Sequence, residues 1–225
     1  MAPLSSAEAY RLWAASWDDS ASPIVSLEDR YLSPWLHDLW GKTFIDVGCG
    51  TGRWLSYAFQ EGARCIGVDL SFEMLRQAAL KPGLDGRVAA AEMTSLPLPD
   101  RVADVVLCAL SLGHCRNALH ALSSLLRVPK RDGQLIISDF HPDAIAKGWK
   151  RTFQHGPDTL EVESFPYSIE AVLELGDASG YRLEQLVELS FGPQEEETFR
   201  RAGRDDLWGR VENQPAVILI SMRRQ

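Results

Sequence analysis

Three glycines alternate with other residues near position 50 and form the strongest candidate for a ligand-binding turn. The stretch is FIDVGCGTGRW, residues 44–54, and its glycines are Gly48, Gly50 and Gly52. A glycine turn between a strand and a helix lets backbone N–H groups approach a ligand closely, because no side chain stands in the way. Arg53 occupies the position at which the dinucleotide fingerprint GxGxxG has its last glycine. We therefore expect a ligand that lies across the turn without a diphosphate.

Two acidic residues accompany this turn. Asp46 ends the first predicted strand and Asp69 ends the second, in the stretch CIGVDLS. An acid roughly twenty residues beyond a glycine turn is placed to accept hydrogen bonds from both hydroxyls of a ribose. Asp46 can instead face a cationic group, directly or through water. Each acid alone is also compatible with a buried or turn-forming role, but together with the glycines they favour a ligand site.

A sheet must position these residues, and the apolar pattern predicts one. The run VADVVLCAL is almost continuously apolar, as expected of a strand that is buried on both faces. Alternating strand-like and helix-like stretches predict an α/β, doubly wound, Rossmann-like sheet of seven mostly parallel strands with helices on both faces. Ligands of such sheets bind at the carboxyl ends of the strands. The predicted strands are 43–48, 64–69, 87–93, 102–110, 133–140, 181–191 and 215–222.

Length, charge and composition limit the remaining possibilities. The chain has 225 residues, which suits one domain: an N-terminal helical cap (1–40), a ligand-binding core (41–142) and a substrate-side insertion with C-terminal strands (143–225). A net charge of −8 argues against a broad nucleic-acid-binding surface. Four cysteines without a CxxC pair indicate buried thiols in a reducing compartment. With neither a signal-like start nor a membrane-length apolar run, we expect a cytoplasmic monomer or homodimer with no membrane partner.

Five segments in the same order resemble the class I S-adenosylmethionine-dependent methyltransferases. The first two are FIDVGCGTGRW and CIGVDLS, already described. AAEMTSLPLPD, VADVVLCALSLGHC and LLRVPKRDGQLIISDFHP are similar to the third-, fourth- and fifth-strand segments of that family. The similarity covers about residues 40–142, and five motifs in register form a strong signal although each alone is modest. It implies a single methyltransferase domain that binds S-adenosyl-L-methionine and methylates an O, N or C atom of a small molecule.

The resemblance also implies roles for particular residues. The glycine turn would contact the methionine moiety of the cofactor, Asp69 the ribose, and the segment after the third strand the adenine. The family usually carries Asp where this chain has Glu92, whose carboxylate reaches one methylene further. The cofactor residues implied in this way are Asp46, Gly48, Cys49, Gly50, Gly52, Asp69, Leu70, Ala91, Glu92, Met93 and Cys108.

Methyl transfer from a sulfonium requires few catalytic side chains. Much of the barrier is met by holding nucleophile, methyl and sulfur in line, and a base is needed only for a protonated nucleophile. His114 and His141 are the candidate bases, because each follows a strand at the edge where ligands bind. Each is also compatible with a capping or loop role in which it hydrogen-bonds the backbone, and for His114 that role is the favoured one. Asp139 either orients His141 or satisfies a turn. No tight ligand spacing of carboxylates and histidines is visible, so we expect a metal-independent reaction.

Two segments are candidates for the acceptor pocket. The first, residues 9–23, resembles the N-terminal segment of small-molecule members of the family and forms either a lid or a docking helix. The second, residues 143–163, mixes aromatic residues with Lys147, Lys150 and Arg151, which either meet an anionic substrate or form a solvated face. The predicted substrate-binding residues are Tyr10, Trp13, Trp17 and Trp149.

Alternative functions are compatible with parts of the pattern. A DNA amino-methyltransferase would carry an Asn/Asp-Pro-Pro-aromatic tetrapeptide after the fourth strand, where this chain reads CALSLGHC, so nucleic acid is not expected as a substrate. A nucleotide-cofactor oxidoreductase is disfavoured by Arg53. A non-catalytic module that retains the cofactor pocket would have the same cofactor motifs.

Overall fold

The structure is a computed structural model that describes residues 2–225. Seven strands form the main sheet and two further strands pair separately. The strands are β1 (Thr43–Val47), β2 (Arg64–Asp69), β3 (Val88–Ala90), β4 (Ala103–Ala109), β5 (Pro129–Phe140), β6 (Arg151–His155), β7 (Asp158–Val162), β8 (Tyr181–Ser190) and β9 (Pro215–Arg224).

The strand order of the main sheet is β3-β2-β1-β4-β5-β9-β8. Strands β1 to β5 are parallel to one another, and β9 runs antiparallel to both β5 and β8. Strands β1, β2 and β3 follow one another toward one edge of the sheet, and β4 then lies on the other side of β1. The carboxyl ends of β1 and β4 therefore border the crevice in which open α/β sheets bind ligands. The predicted seven-stranded, mostly parallel, doubly wound sheet is thus confirmed.

The helices lie along the chain between and before these strands. Ser71 caps the fourth helix by accepting a hydrogen bond from the backbone N–H of Met74 at 3.3 Å, as the sequence predicts. The α-helices are α1 (Ser6–Trp13), α2 (Pro23–Leu32), α3 (Arg53–Gln60), α4 (Phe72–Ala79), α5 (Ala118–Leu126), α6 (Pro142–Ala146), α7 (Ile169–Ala178), α8 (Pro193–Arg201) and α9 (Asp205–Val211), and short 3-10 helices occupy Ser33–Trp35, Met93–Ser95 and Leu112–His114.

Apolar side chains cover both faces of the main sheet. Ile45 of β1 packs in one cluster with Leu122 of α5, whereas its neighbour Phe44 packs in another with Leu55 of α3. Successive side chains of a strand point to opposite faces, so a continuously apolar strand supplies both clusters at once. This arrangement is the reason that the central strands carry no polar alternation.

The elements outside this core differ in detail from the sequence expectations. The third strand is shorter than predicted, because the chain turns into a 3-10 helix at Met93. The charged connection before β9 forms two helices, since Gly203 adopts a φ of +64° just after α8 and ends that helix. The insertion at 143–163 forms α6 and the β6–β7 hairpin.

The N-terminal helix α1 docks on that hairpin. Ala9, Phe153 and Val162 form a small buried cluster, and the ring of Trp13 stacks on Phe153 with centroids 4.7 Å apart. The backbone N–H of Leu4 donates to the carbonyl of Glu161 at 2.8 Å. Helix α1 and the insertion therefore form one structural unit. Across residues 2–225, none of the helices has the length and apolar character needed to cross a membrane.

Candidate functional site

The glycine turn after β1 adopts left-handed backbone conformations throughout. Gly48, Gly50 and Gly52 have φ values of +78°, +53° and +78°. A Cβ at Gly48 would overlap the side chain of Ser111, and one at Gly52 would lie 2.8 Å from Leu84. A Cβ at Gly50 would meet nothing within 4 Å. The first and third glycines are therefore required by packing, whereas Gly50 leaves an open surface beside the turn.

Asp69 fixes the shape of this turn. Its Oδ2 accepts a hydrogen bond from the backbone N–H of Gly50 at 2.8 Å, and its Oδ1 accepts one from Ser71 N–H at 2.8 Å. Burial raises the pKa of Asp69, while these backbone hydrogen bonds lower it. A carboxylate offers about four acceptor positions, so two remain available after these bonds are made.

Asp46 is a buried acid that lacks a partner. Its carboxyl is 1% exposed, and its Oδ1 makes no hydrogen bond in the structure. Burial raises the pKa of Asp46 to about 8; the Arg53 guanidinium lowers it, and Asp69 and Glu28 raise it further. Buried polar atoms are normally hydrogen-bonded, so an unpaired carboxyl oxygen at the ligand edge of the sheet indicates a place for a donor from outside the chain.

Arg53 joins the glycine turn to helix α2. The sequence indicated this residue only as a departure from the dinucleotide fingerprint. Its guanidinium pairs with Glu28 and Asp29, and Glu28 in turn accepts a hydrogen bond from the Ser138 hydroxyl of β5. Glu28 is fully buried. The network holds α2 against the first residue of α3. Nothing in the sequence spacing indicates this pairing, because Glu28 is distant from Arg53 along the chain.

His114 lies at the carboxyl end of β4 in a defined protonation state. Its Nδ1 is 3.2 Å from the carbonyl oxygen of Glu163, and its Nε2 is 2.7 Å from the Tyr10 hydroxyl. A carbonyl can only accept, so Nδ1 carries the proton and the Nε2 lone pair accepts from Tyr10. Burial, followed by the nearby Arg151 guanidinium, lowers the pKa of His114 to about 3. The imidazole is therefore neutral at physiological pH.

A buried ion pair supports the same region. Arg151, the first residue of the hairpin, pairs with Asp139 of β5 and donates to the carbonyl of Leu110 at 2.7 Å. Asp139 also accepts from Gly113 N–H at 2.6 Å and from the Tyr167 hydroxyl at 3.2 Å. Of the two interpretations of Arg151 left open by the sequence, a solvated face is excluded, because the side chain is 7% exposed. Asp139 makes these contacts instead of orienting His141.

His141 lies apart from this cluster. Its Nδ1 accepts a hydrogen bond from Asp143 N–H at 3.1 Å and caps helix α6. Its Nε2 is 3.4 Å from a carboxylate oxygen of Glu188 on β8. The structure thus places His141 in the capping role that the sequence left as an alternative, and its assignment as a base stays a prediction.

The aromatic residues of the N-terminal segment contact one another. Tyr10 stacks on Trp13 with centroids 5.9 Å apart, and Trp17 contacts both rings edge-on. Beyond them, Asp18 accepts from the Thr51 hydroxyl at 2.6 Å and pairs with Lys81 at 2.7 Å. The segment therefore bridges from the hairpin to the glycine turn.

Trp149 does not join this aromatic group. It stacks on Phe191 with centroids 6.0 Å apart and packs against the cluster around β8, β9 and α8. Trp149 and Phe153 belong to the same insertion. The turn between α6 and β6 nevertheless directs their two rings into different apolar clusters. The prediction that Trp149 binds substrate is unsupported by its position.

The residues predicted beside the adenine border β2 and β3. Leu70 and Phe72 expose apolar surface, at 56% and 64%. Ala91 and Met93 are partly buried, Glu92 is exposed, and Ala91 N–H donates to the carbonyl of Asp69 at 2.9 Å. Sequence reasoning did not select Phe72, although an aromatic residue opening the helix after Asp69 is a usable signal. Cys108 is fully buried under Met93, with the two sulfurs 3.9 Å apart.

No group of three or more His, Cys, Asp or Glu side chains suited to a metal ion occurs in the part of the chain that the structure describes.

Comparison with known proteins shows that the chain is similar to methyltransferases. Residues 45–137 match the model of a methyltransferase domain. The chain is 30% identical to the demethylmenaquinone methyltransferase of Thermobifida fusca over 62% of this chain and 65% of that protein. It is 27% identical to the malonyl-[acyl-carrier protein] O-methyltransferase of Hamiltonella defensa, over 64% and 57% of the two chains. The matches thus span less than two thirds of these relatives.

A solved structure shares the fold over nearly the whole chain. The S-adenosylmethionine-dependent methyltransferase from Mesorhizobium loti superposes with a TM-score of 0.70 at 20% identity, covering 90% of this chain and 100% of that one. At this identity the similarity concerns the fold.

Proposed function

Because residues 45–137 match the model of a methyltransferase domain and the fold is shared with a solved S-adenosylmethionine-dependent methyltransferase, we propose that this chain is a class I methyltransferase that binds S-adenosyl-L-methionine and methylates a small molecule. The acceptor atom is an oxygen, nitrogen or carbon. The observation that carries the proposal is the unpaired, buried carboxyl of Asp46 beside the open surface of Gly50.

The residues present fit the cofactor. Asp46 would accept from the ammonium group of the methionine moiety, which is the donor that its Oδ1 lacks. The two acceptor positions left on Asp69 suit the two ribose hydroxyls. The exposed side chains of Leu70 and Phe72 offer apolar surface to adenine. Ala91, Glu92 and Met93 would border the same base, with Glu92 accepting from its exocyclic amine.

The bound cofactor supplies a methyl group on a positively charged sulfur, which leaves as a neutral thioether. The chain itself has to hold the acceptor in line and exclude water. Tyr10, Trp13 and Trp17 cover the site from the N-terminal side, and the contacts of Asp18 with Thr51 and Lys81 hold that cover against the glycine turn. His114 presents a neutral Nε2 lone pair at the carboxyl end of β4 and is one of two candidate bases with His141. Because burial and the Arg151 guanidinium lower its pKa to about 3, it is better suited to orienting an acceptor through a hydrogen bond than to holding a proton.

The relatives support methyl transfer but differ in acceptor. The two curated proteins are named for demethylmenaquinone and for malonyl-[acyl-carrier protein]. Such different acceptors on one fold mean that the side chains around the site decide the substrate.

Cofactor binding can be tested by thermal shift and calorimetry with S-adenosylmethionine, S-adenosylhomocysteine and NAD. The first two should stabilise the protein and NAD should not. Stabilisation by NAD alone would reject the proposal in favour of an oxidoreductase. Release of S-adenosylhomocysteine in a screen of small acceptors would distinguish an enzyme from a non-catalytic cofactor-binding module.

A further inference from the structure

We propose that Glu28 is a positioning residue that holds a left-handed turn at Leu110 and thereby shapes the glycine turn that binds the cofactor. The inference rests on the proposed function, because it concerns the same cofactor site. It depends on three observations: the backbone conformation of Leu110, the buried hydrogen bonds that fix it, and the contact of Ser111 with Gly48.

Leu110 has an unfavourable backbone conformation directly after β4. Its φ is +52°, in the left-handed region that residues other than glycine rarely adopt. Such a conformation persists only where the surrounding structure holds it, and it is concentrated at functional sites. The contacts of Leu110 therefore decide the shape of the loop that follows β4.

Buried side chains hold both backbone polar groups of Leu110. Its N–H lies 2.8 Å from the carbonyl oxygen and 3.2 Å from the hydroxyl oxygen of Ser138 on β5. Its carbonyl accepts from Arg151 Nη1 at 2.7 Å. The Ser138 hydroxyl donates its own proton to Glu28. Because that proton points to Glu28, a lone pair of the hydroxyl is free to face the Leu110 N–H.

The Glu28 carboxylate is anchored at the glycine turn. Its second oxygen accepts from Arg53, the first residue of α3, and both Glu28 and Ser138 are fully buried. Burying a carboxylate costs much of the energy that its ion pair returns, and apolar side chains of similar size often stabilise a protein as well. The hydrogen-bonded chain from Arg53 to Leu110 gives this buried charge a geometric role that an apolar side chain could not fill.

Ser111 carries the effect to the cofactor site. It follows the Leu110 turn directly, and its side chain packs so closely on Gly48 that a Cβ there would overlap it. Its hydroxyl is 3.2 Å from the Gly48 carbonyl and 2.8 Å from that of Ala109. When Leu110 relaxes from its left-handed conformation, Ser111 moves and the glycine turn loses this neighbour. Loss of Glu28 should therefore weaken cofactor binding.

Glu28→Gln breaks the chain at a defined point. Arg53 can only donate, so it keeps the one amide oxygen, and the amide nitrogen faces Ser138. The Ser138 hydroxyl then has to accept, and its proton turns into competition with the Leu110 N–H. Ser138→Ala breaks the chain at its next member and changes no charge.

A double-mutant cycle on S-adenosylhomocysteine affinity tests the inference without turnover. Glu28→Gln and Ser138→Ala should each weaken binding about fivefold in titration calorimetry, the value of one ordinary hydrogen bond. Because both act through one chain, the double variant should also bind about fivefold more weakly, whereas independent effects would multiply to about 25-fold. The comparison is made at about pH 9, above the pKa of about 8 of Asp46, so that this carboxyl is ionised in every variant.

Glu195→Gln is the matched control. Glu195 is 1% exposed and pairs with Arg30 of the same helix α2 at 2.7 Å, but its other hydrogen bond leads to Gly192 at the start of α8 instead of to Leu110. This variant should lower the melting temperature and leave S-adenosylhomocysteine affinity unchanged. Hydrogen exchange gives a second readout: the ligand should protect residues 110–114 in the wild type and in Glu195→Gln, and protect them less in Glu28→Gln.

Unchanged affinity in Glu28→Gln would overturn the inference, as would an equal loss in Glu195→Gln or fully multiplied effects in the double variant. If Glu28→Gln does not fold, Ser138→Ala decides, because wild-type affinity in that variant would also overturn the inference. These results would leave the proposed function standing. Failure of the wild type to bind S-adenosylhomocysteine would overturn the proposed function together with the inference.

Discussion

Replacing Asp46 with asparagine should stabilise the ligand-free protein at alkaline pH and weaken its binding of S-adenosylmethionine. Burial raises the pKa of this carboxyl from 3.8 to about 8 in the folded chain. Between these two values the folded state holds a proton that the unfolded state has released, so stability falls as pH rises through the window and the loss is complete above pH 8. At 1.36 kcal/mol for each pH unit, the full loss is about 6 kcal/mol.

An asparagine at this position stays neutral, so the variant does not lose this stability as the pH rises. The difference in melting temperature between Asp46→Asn and the wild type should therefore grow from pH 5 to pH 8 and then level off. For a chain of this length, about 6 kcal/mol corresponds to a difference on the order of 10–20 °C. Differential scanning calorimetry at several pH values measures it directly.

Cofactor affinity should depend on pH in the opposite direction and rise as the pH rises. Binding of an ammonium group requires the ionised carboxyl, so the wild type should release close to one proton per cofactor bound below pH 8 and bind about tenfold more tightly for each pH unit gained. Calorimetry in two buffers of different ionisation enthalpy measures the released proton. In Asp46→Asn this release should disappear and affinity should fall at every pH.

Asp104→Asn is the matched control. Although burial opposes it, hydrogen bonds from Thr43 N–H and Lys130 lower the pKa of Asp104, so its stabilisation is present at neutral pH and is lost in acid. This variant should lower the melting temperature at neutral pH and leave cofactor binding unchanged. Equal pH dependence of stability and of proton release in Asp46→Asn and the wild type would refute the reasoning.

Substitutions at Asp69, Gly50 and His141, with Gly86 as a control position, test the remaining assignments. Asp69→Ala should weaken cofactor binding by about 1.5–3 kcal/mol, the value of charge-assisted hydrogen bonds, and an unchanged dissociation constant in calorimetry would contradict the ribose role. Gly50→Ala and Gly86→Ala should each lose about 1 kcal/mol in urea denaturation for placing alanine at positive φ, but only Gly50→Ala should also lose cofactor affinity, because Gly86 lies outside the site. His141→Ala should lose about 1 kcal/mol of stability with its helix cap and His141→Asn should restore it, whereas a turnover loss that persists in the asparagine variant would support a catalytic role.

The fold was predictable because its signals are local. Continuous apolar strands, capped helices and the glycine turn are each written in a few neighbouring residues, and right-handed βαβ connections leave few ways to assemble them. The prediction was less accurate at the third strand. There Ala89 and Ala90 are exposed, so no buried apolar period fixes where the strand ends.

The cofactor side of the site was more predictable than the acceptor side, because its signals are also local in the sequence. Asp46, the three glycines and Asp69 sit at the ends of two adjacent parallel strands, so their sequence positions fix their neighbourhood. Trp149 packs away from Tyr10, Trp13 and Trp17, because membership of an insertion does not say which way a ring points, and its substrate-binding role stays a prediction. The pairing of Arg151 with Asp139 was missed because it joins a hairpin to a core strand.

The sequence by itself determined the doubly wound sheet, the ligand edge and a turn that must accept a ligand without a side chain at Gly50. Only the tertiary structure decided that Asp46 is buried without a partner, that His141 caps a helix, and that Tyr10, His114 and Arg151 converge. Local features follow from backbone geometry and apolar periodicity within a few residues. Convergence of distant polar groups depends on how the N-terminal helix and the hairpin pack, and no short stretch of sequence contains that information.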